Sequence, residues 1–127
     1  MLARFSSYKV NPRHRASKPS EKTSVWKVPE WNEVQLFGIA STKNWYKDGI
    51  FWAVMRKDSK ISKIGEDLEN DLYIAKYRCD PNSEWHGYPV HPKDDDIPPD
   101  VVLDLWREEK LIDKTDKRRI QGGKFSV

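Results

Sequence analysis

The sequence predicts a single α+β domain, in which a small antiparallel sheet is followed by helices packed toward the C-terminus. Apolar runs rich in β-branched and aromatic residues recur between residues 34 and 79, and the clearest helical pattern comes only after residue 100. The chain has 127 residues, enough to bury a core without metals or disulfides.

The N-terminal residues 1–24 are predicted to form an extended, flexible basic arm, and residues 25–127 the folded domain. The arm carries six Lys or Arg residues against one acidic residue, and it has few large aliphatic side chains. Low hydrophobicity with positive charge is typical of disorder, or of an arm laid on another surface. Within the arm His14 lies between Arg13 and Arg15, whose charges should disfavour its protonation.

Three strands are predicted in the domain, at residues 34–41, 50–55 and 72–79. The first has apolar residues on both faces, which is typical of a central strand. The second follows Asp48-Gly49, a strong turn signal. In the third, Lys76 and Arg78 indicate that one face is partly open, while Cys79 is expected to be a small buried residue.

Two segments between these strands have more than one interpretation. Residues 41–44 read as a turn, or as the cap of a short helical turn through Trp45 and Tyr46. Residues 58–71 fit a helix, or a hairpin strand followed by a short helix, because Gly65 interrupts an otherwise helical apolar spacing.

Residues 79–96 have the most unusual composition and are predicted to form a stiff, ordered loop. Five of the eight prolines lie between Pro81 and Pro99, close to two of the three histidines and a triple aspartate. Such a composition suits a loop that carries polar groups better than it suits a helix or a strand. We therefore expect a site in this segment.

The clearest helix is predicted at residues 100–110, capped by Asp96 or Asp100 with prolines in its first turn. Its apolar face contains Val101, Val102, Leu105 and Trp106. A second, short basic helix is predicted to start at Thr115 and to end at Gly122-Gly123.

Composition and missing motifs exclude several classes of protein. The single cysteine rules out an internal disulfide. There is no apolar run of about 18 residues and no signal-peptide pattern at the N-terminus, so we expect a soluble, cytoplasmic protein that does not contact a membrane. Rossmann, Walker, nucleophile-elbow, zinc-finger and deaminase signatures are absent from the sequence.

The charge pattern predicts a non-enzymatic protein that binds RNA or single-stranded DNA. Both ends are basic, although residues 25–106 carry ten basic and fifteen acidic residues, which argues against this function. Cations would contact phosphates, and aromatic rings would stack on unpaired bases. The residues expected to bind the nucleic acid are Lys114, Lys117, Arg118, Arg119, Lys124, Trp45, Tyr46, Trp85 and Tyr88.

A metal-independent, toxin-like ribonuclease is the alternative. His86 and His91 would act as acid and base, and Lys93 or Arg78 would stabilise the charged phosphorane. The same histidines with the aspartates at residues 94–96 have the ligand types of a zinc, manganese or iron site. No known short metal signature is present, and the aspartates are simpler to explain as a helix cap, so neither metal nor cofactor is expected.

A third interpretation is a protein-interaction or inhibitor module with a tryptophan-rich surface. Six tryptophans, five tyrosines and four phenylalanines are more than a small core usually hides, and exposed aromatic residues often anchor protein partners. The aromatic residues considered for such a surface are Trp26, Trp31, Trp45, Tyr46 and Trp85. Nucleic-acid binding should weaken steeply with salt, which distinguishes it from this interpretation.

Overall fold

The computed structural model describes residues 8–125 and confirms the α+β class. The strands are β1 (Val25–Trp26), β2 (Tyr46–Lys47), β3 (Ile50–Val54), β4 (Arg56–Lys57), β5 (Lys60–Ile61), β6 (Gly65–Glu66), β7 (Asp71–Leu72), β8 (Ile74–Cys79) and β9 (Trp85–Val90). The helices are α1 (Glu30–Lys43), α2 (Asp100–Glu108) and α3 (Lys114–Gln121), with short 3₁₀ turns at Pro12–Arg15 and Asp94–Asp96. Residues 1–7 of the predicted arm lie outside the described range.

A four-stranded antiparallel sheet of order β2-β3-β8-β9 is the centre of the fold. A small sheet of order β1-β6-β7 and the β4-β5 hairpin complete the β structure of the described chain. The predicted turn at Asp48-Gly49 joins β2 to β3. Both residues have positive φ, 51° and 84°, as a two-residue hairpin turn of right-handed twist requires.

One face of the central sheet packs against α1, and Phe37 is the middle of this contact. Its ring lies 5.6 Å from Phe51, 5.3 Å from Tyr77 and 5.6 Å from Trp85, measured between centroids. Gly87 lets the Tyr77 ring approach β9, because a Cβ atom there would lie 2.3 Å from Tyr77 Cε1. The aromatic core therefore depends on a glycine in the neighbouring strand.

The predicted strand at residues 34–41 is wrong, because this segment lies inside α1. Leu36 and Phe37 are buried against the sheet, whereas Val34 and Ile39 are 42% and 37% exposed on the other side of the helix. Apolar residues on both faces remove the polar stripe that normally identifies a surface helix. The helix ends at Asn44, whose left-handed φ of 59° closes it.

Three further predictions differ from the structure. Of the two interpretations of residues 58–71, the helix is wrong, and the hairpin strand is present in part as β5, which pairs with β4. The short helix expected after that strand is absent, because β6 and the start of β7 follow instead. Residues 85–90 are the strand β9 and not a loop. Proline at position 89 is tolerated because β9 is an edge strand, where the missing N–H costs no ladder bond. Cys79, expected to be buried, is exposed.

The N-terminal segment contacts α1 through Glu33, a fully buried carboxyl group. Arg15 Nη2 lies 2.6 Å from Glu33 Oε1, and the hydroxyl of Tyr8 donates a hydrogen bond to Glu33 Oε2. Burial raises the pKa of Glu33, and the hydrogen bonds from Tyr8 and Arg15 oppose that rise. The described part of the arm therefore contacts the domain, and the division of the chain at residue 25 stays a prediction.

The two C-terminal helices lie where the sequence predicts them, but the residues that cap their N-termini differ from the predicted ones. Pro99 is the N-cap of α2, with no side-chain hydrogen bond from the predicted aspartates. In α2 the buried residues are Val102, Leu103 and Trp106, while Val101 is 48% exposed. Asp113 and Asp116 form a capping box that starts α3, and Gly122 ends that helix as predicted. Within residues 8–125, no helix is long and apolar enough to cross a membrane.

Candidate ligand-binding cleft

An open cleft of about 1090 Å³ lies on the sheet face opposite α1. Side chains alternate along a strand, so Lys76 and Arg78 of β8 point away from α1, whereas Tyr77 between them points toward it. Lys76, Arg78 and Tyr88 form part of the cleft floor. Residues 20–24, the Asp94–Asp96 turn and residues 122–124 contribute its walls.

The cleft carries mixed charge, because six basic and six acidic side chains line it. The strand face predicted to be partly open carries both side chains, and of the two Arg78 is exposed, whereas Lys76 is only 3% exposed. Its Nζ lies 2.9 Å from Asp96 Oδ1, 2.9 Å from the Asp95 carbonyl oxygen and 5.3 Å from the centre of the Trp52 ring. Lys76 therefore holds the Asp94–Asp96 turn against the sheet. The cations available to a ligand are the exposed ones.

A stacked pair of rings, His14 and Tyr88, lies at the cleft, with centroids 5.2 Å apart and ring planes 17° apart. His14 Nδ1 donates a hydrogen bond to the Ser24 carbonyl oxygen over 2.8 Å. Burial lowers the pKa of His14, and Arg13 adds to the shift as the sequence predicts. The neutral tautomer bonded to Ser24 leaves Nε2 as an acceptor.

His86 is held by hydrogen bonds on both ring nitrogens. Nε2 lies 2.8 Å from Asp80 Oδ2, and Nδ1 lies 3.2 Å from the Lys9 carbonyl oxygen. The backbone N–H of Glu84 and the His86 ring both lower the pKa of Asp80. Both ring nitrogens of His86 therefore lie within hydrogen-bonding distance of an oxygen atom, which fixes the orientation of the ring.

The two histidines predicted to act as acid and base, His86 and His91, do not line the same cleft. His91 lines the cleft and its Nε2 donates to the Gly123 carbonyl oxygen over 3.2 Å, whereas His86 does not line the cleft. The Nδ1 atom of His91 is buried without a hydrogen-bond partner in the described chain. Of the predicted cations, Arg78 is at the floor and Lys93 also lines the cleft.

The predicted nucleic-acid contacts divide into accessible and buried residues. Trp45 and Trp85 are 2% and 9% exposed, so the expectation that they are available for stacking is wrong. Tyr46 is half-buried against Phe51, which leaves Tyr88 at the cleft. The exposed predicted cations are Lys114, Arg118, Arg119 and Lys124, while Lys117 pairs with Asp104 over 2.7 Å.

One group of side chains in the described chain has metal-ligand geometry. Asp80, Glu84 and His86 each offer a ligand atom, and these atoms lie within 4.8 Å of one another. The Lys9 carbonyl oxygen orients the imidazole as second-shell acceptors do in metal sites. The set considered from the sequence, His86 and His91 with the aspartates at residues 94–96, does not meet this geometric criterion. The expected absence of a metal stays a prediction.

Sequence reasoning missed Arg13 and His14 as cleft residues, because both were placed in a flexible arm. No spacing signal links His14 to Tyr88, since the contact forms only when the N-terminal segment packs across β9. In comparisons with known proteins, no family model, no curated protein and no solved structure matched the chain.

Proposed function

We propose that the protein binds single-stranded RNA or DNA in the cleft without cleaving it. The observation that carries this proposal is the stacked pair of His14 and Tyr88, next to the exposed guanidinium groups of Arg13 and Arg78. An unpaired base can extend the stack, and base–aromatic stacking contributes about 1–3 kcal/mol per base. The guanidinium groups are suited to bind the adjoining phosphates.

Exposed cations lie both in the cleft and in the last turn of the neighbouring helix α3. Lys124 lines the cleft, and Arg118 is exposed in the last turn of the helix just before it. A nucleic-acid backbone can follow these cations outward from the stacked pair. The acidic side chains on the other walls should repel the phosphates of a nucleic acid that binds away from these cations. This repulsion favours one binding mode over non-specific binding.

The concave shape favours unpaired over paired nucleic acid. The stacked rings line a concave cleft, and we expect that only a base turned out of a helix reaches them. A duplex presents its phosphates first and keeps its bases stacked internally. Single strands should therefore bind more tightly than a duplex of the same sequence.

The test is fluorescence anisotropy with a labelled oligonucleotide, comparing two double variants of equal charge change. Arg13→Glu with Arg78→Glu removes the cleft cations, and Lys57→Glu with Lys60→Glu alters exposed cations on the β4-β5 hairpin. The cleft variant should bind at least about tenfold more weakly than the hairpin variant, and wild-type affinity should fall steeply with salt. Equal losses in both variants, or affinity independent of salt, would refute cleft binding.

RNA cleavage is a second candidate, and the proximity of His14 to His86 favours it. His14 stacks on Tyr88, and His86 lies two residues before Tyr88 on the same side of strand β9. His14 Nε2 would accept the 2′-hydroxyl proton, and His86, supported by Asp80, would protonate the departing 5′ oxygen. This assigns to His14 the role that the sequence suggested for His91.

Cleavage is tested by incubating RNA with the protein and chelator and looking for 2′,3′-cyclic phosphate ends. His14→Ala and His86→Ala should each abolish cleavage, while His91→Ala should retain it. Intact RNA with the wild-type protein would eliminate this candidate and leave binding alone.

A further inference from the structure

The side of α1 that faces away from the sheet carries exposed apolar residues. Trp31 is 65% exposed, and Val34 and Ile39 lie on the same side. We propose that this outer face of α1, defined by residues 31, 34, 35, 38, 39 and 42, is a homodimer interface. Two copies of α1 pack antiparallel around a two-fold axis, independently of the cleft on the other side of the sheet.

The outer face contains both a projecting side chain and a depression that fits it. Trp31 projects near the start of the helix, and a shallow depression of about 320 Å³ lies further along it. Four residues with the spacing i, i+3, i+4 and i+7 line the depression together with Lys43, and these are Gln35, Gly38, Ile39 and Thr42. This spacing forms the hole that receives one side chain of a facing helix in knobs-into-holes packing.

In an antiparallel alignment, Trp31 of each copy faces the depression of the other copy, so the same contact forms twice. If Gln35 is opposite Gln35 of the second copy, Trp31 is opposite Ile39 of that copy, within the four residues of the depression. The absence of a side chain at Gly38, beside Ile39, leaves room for the large ring. A two-fold interface requires such a self-complementary patch, which a partner of unrelated sequence does not require.

The charges at the ends of α1 agree with the same alignment. Exposed Glu30 is at the N-terminal end, and Lys43 is at the C-terminal end, where it also pairs with Glu109 over 2.9 Å. Antiparallel packing places each acidic end at the level of the basic end of the other copy, with the two helix dipoles opposed. A parallel arrangement would place like charges side by side.

One helix face is smaller than the roughly 800 Å² per partner of a standard stable interface. The dimer should therefore form reversibly and depend on concentration. Each copy would keep its cleft accessible, because the cleft and the outer face of α1 lie on opposite sides of the central sheet.

Sedimentation velocity over a concentration series tests the proposal with three variants. Trp31→Ala removes the projection, and Thr42→Glu places a charge in the depression. Leu68→Ala is the control, because Leu68 is an exposed apolar residue outside α1, 58% accessible. Thermal unfolding of each variant checks that the fold is intact.

The wild-type protein and Leu68→Ala should show the same concentration-dependent dimer. Trp31→Ala and Thr42→Glu should each raise the dissociation constant by roughly tenfold or more, as for the loss of an aromatic hot spot. A wild-type protein that stays monomeric throughout the series, or a dimer that both α1 variants leave unchanged, would overturn the proposal.

Discussion

Glu33 is a buried carboxyl group whose partners, Arg15 and Tyr8, come from the N-terminal segment. We expect Arg15→Ala to lower the free energy of unfolding by about 3 kcal/mol, because it leaves a buried carboxyl group without its cation. Chemical denaturation measures this change, with the exposed Lys18→Ala as control. An Arg15 effect no larger than that of Lys18 would show that the contact does not anchor the segment.

His14 should make stability depend on pH. Burial holds its pKa in the folded protein below the ordinary value of 6.5, so between these two values the unfolded chain binds more protons. The free energy of unfolding should therefore fall as pH drops from 6.5 toward the folded pKa, and level off below it. His14→Phe keeps a ring for stacking and should remove this part of the dependence. Denaturation curves of both proteins across this range measure the difference, and parallel pH profiles would contradict the prediction.

At the scale of elements, the Asp94–Asp96 turn depends on one buried cation. Asp96→Ala should lower the free energy of unfolding by about 1–3 kcal/mol, because Lys76 then stays buried without its carboxylate, while the partial exposure of Asp96 moderates the loss. Asp95→Ala is the matched control, since Asp95 contacts Lys76 through its backbone oxygen. Equal effects in chemical denaturation would show that the ion pair contributes nothing.

The elements that the sequence predicted correctly have local signals, and the others depend on tertiary contacts. The Asp48-Gly49 turn and the glycines after α3 were found because their backbone geometry favours these residues. α1 was read as a strand because apolar residues lie on both its faces. β9 was read as a loop because Pro89 is rare in strands, and its edge position is a property of the whole sheet.

At the scale of the whole molecule, the sequence located part of the site and missed how it is assembled. Arg78 and Tyr88 were predicted functional residues, and both line the cleft. The contribution of His14 depends on the N-terminal segment lying across β9, a long-range contact with no local pattern. Likewise, composition indicated that some aromatic residues are exposed, but only the packing shows that Trp31 is exposed and Trp45 is buried.

The central claim is that the cleft binds single-stranded nucleic acid, and amide chemical-shift mapping by NMR tests it most directly. A short oligonucleotide titrated into the labelled protein should shift the amides of Arg13, Arg78, Tyr88 and Lys124, and these shifts should reverse with added salt. The outer face of α1 should not respond. Shifts confined to α1, or no shifts at saturating oligonucleotide, would contradict the claim.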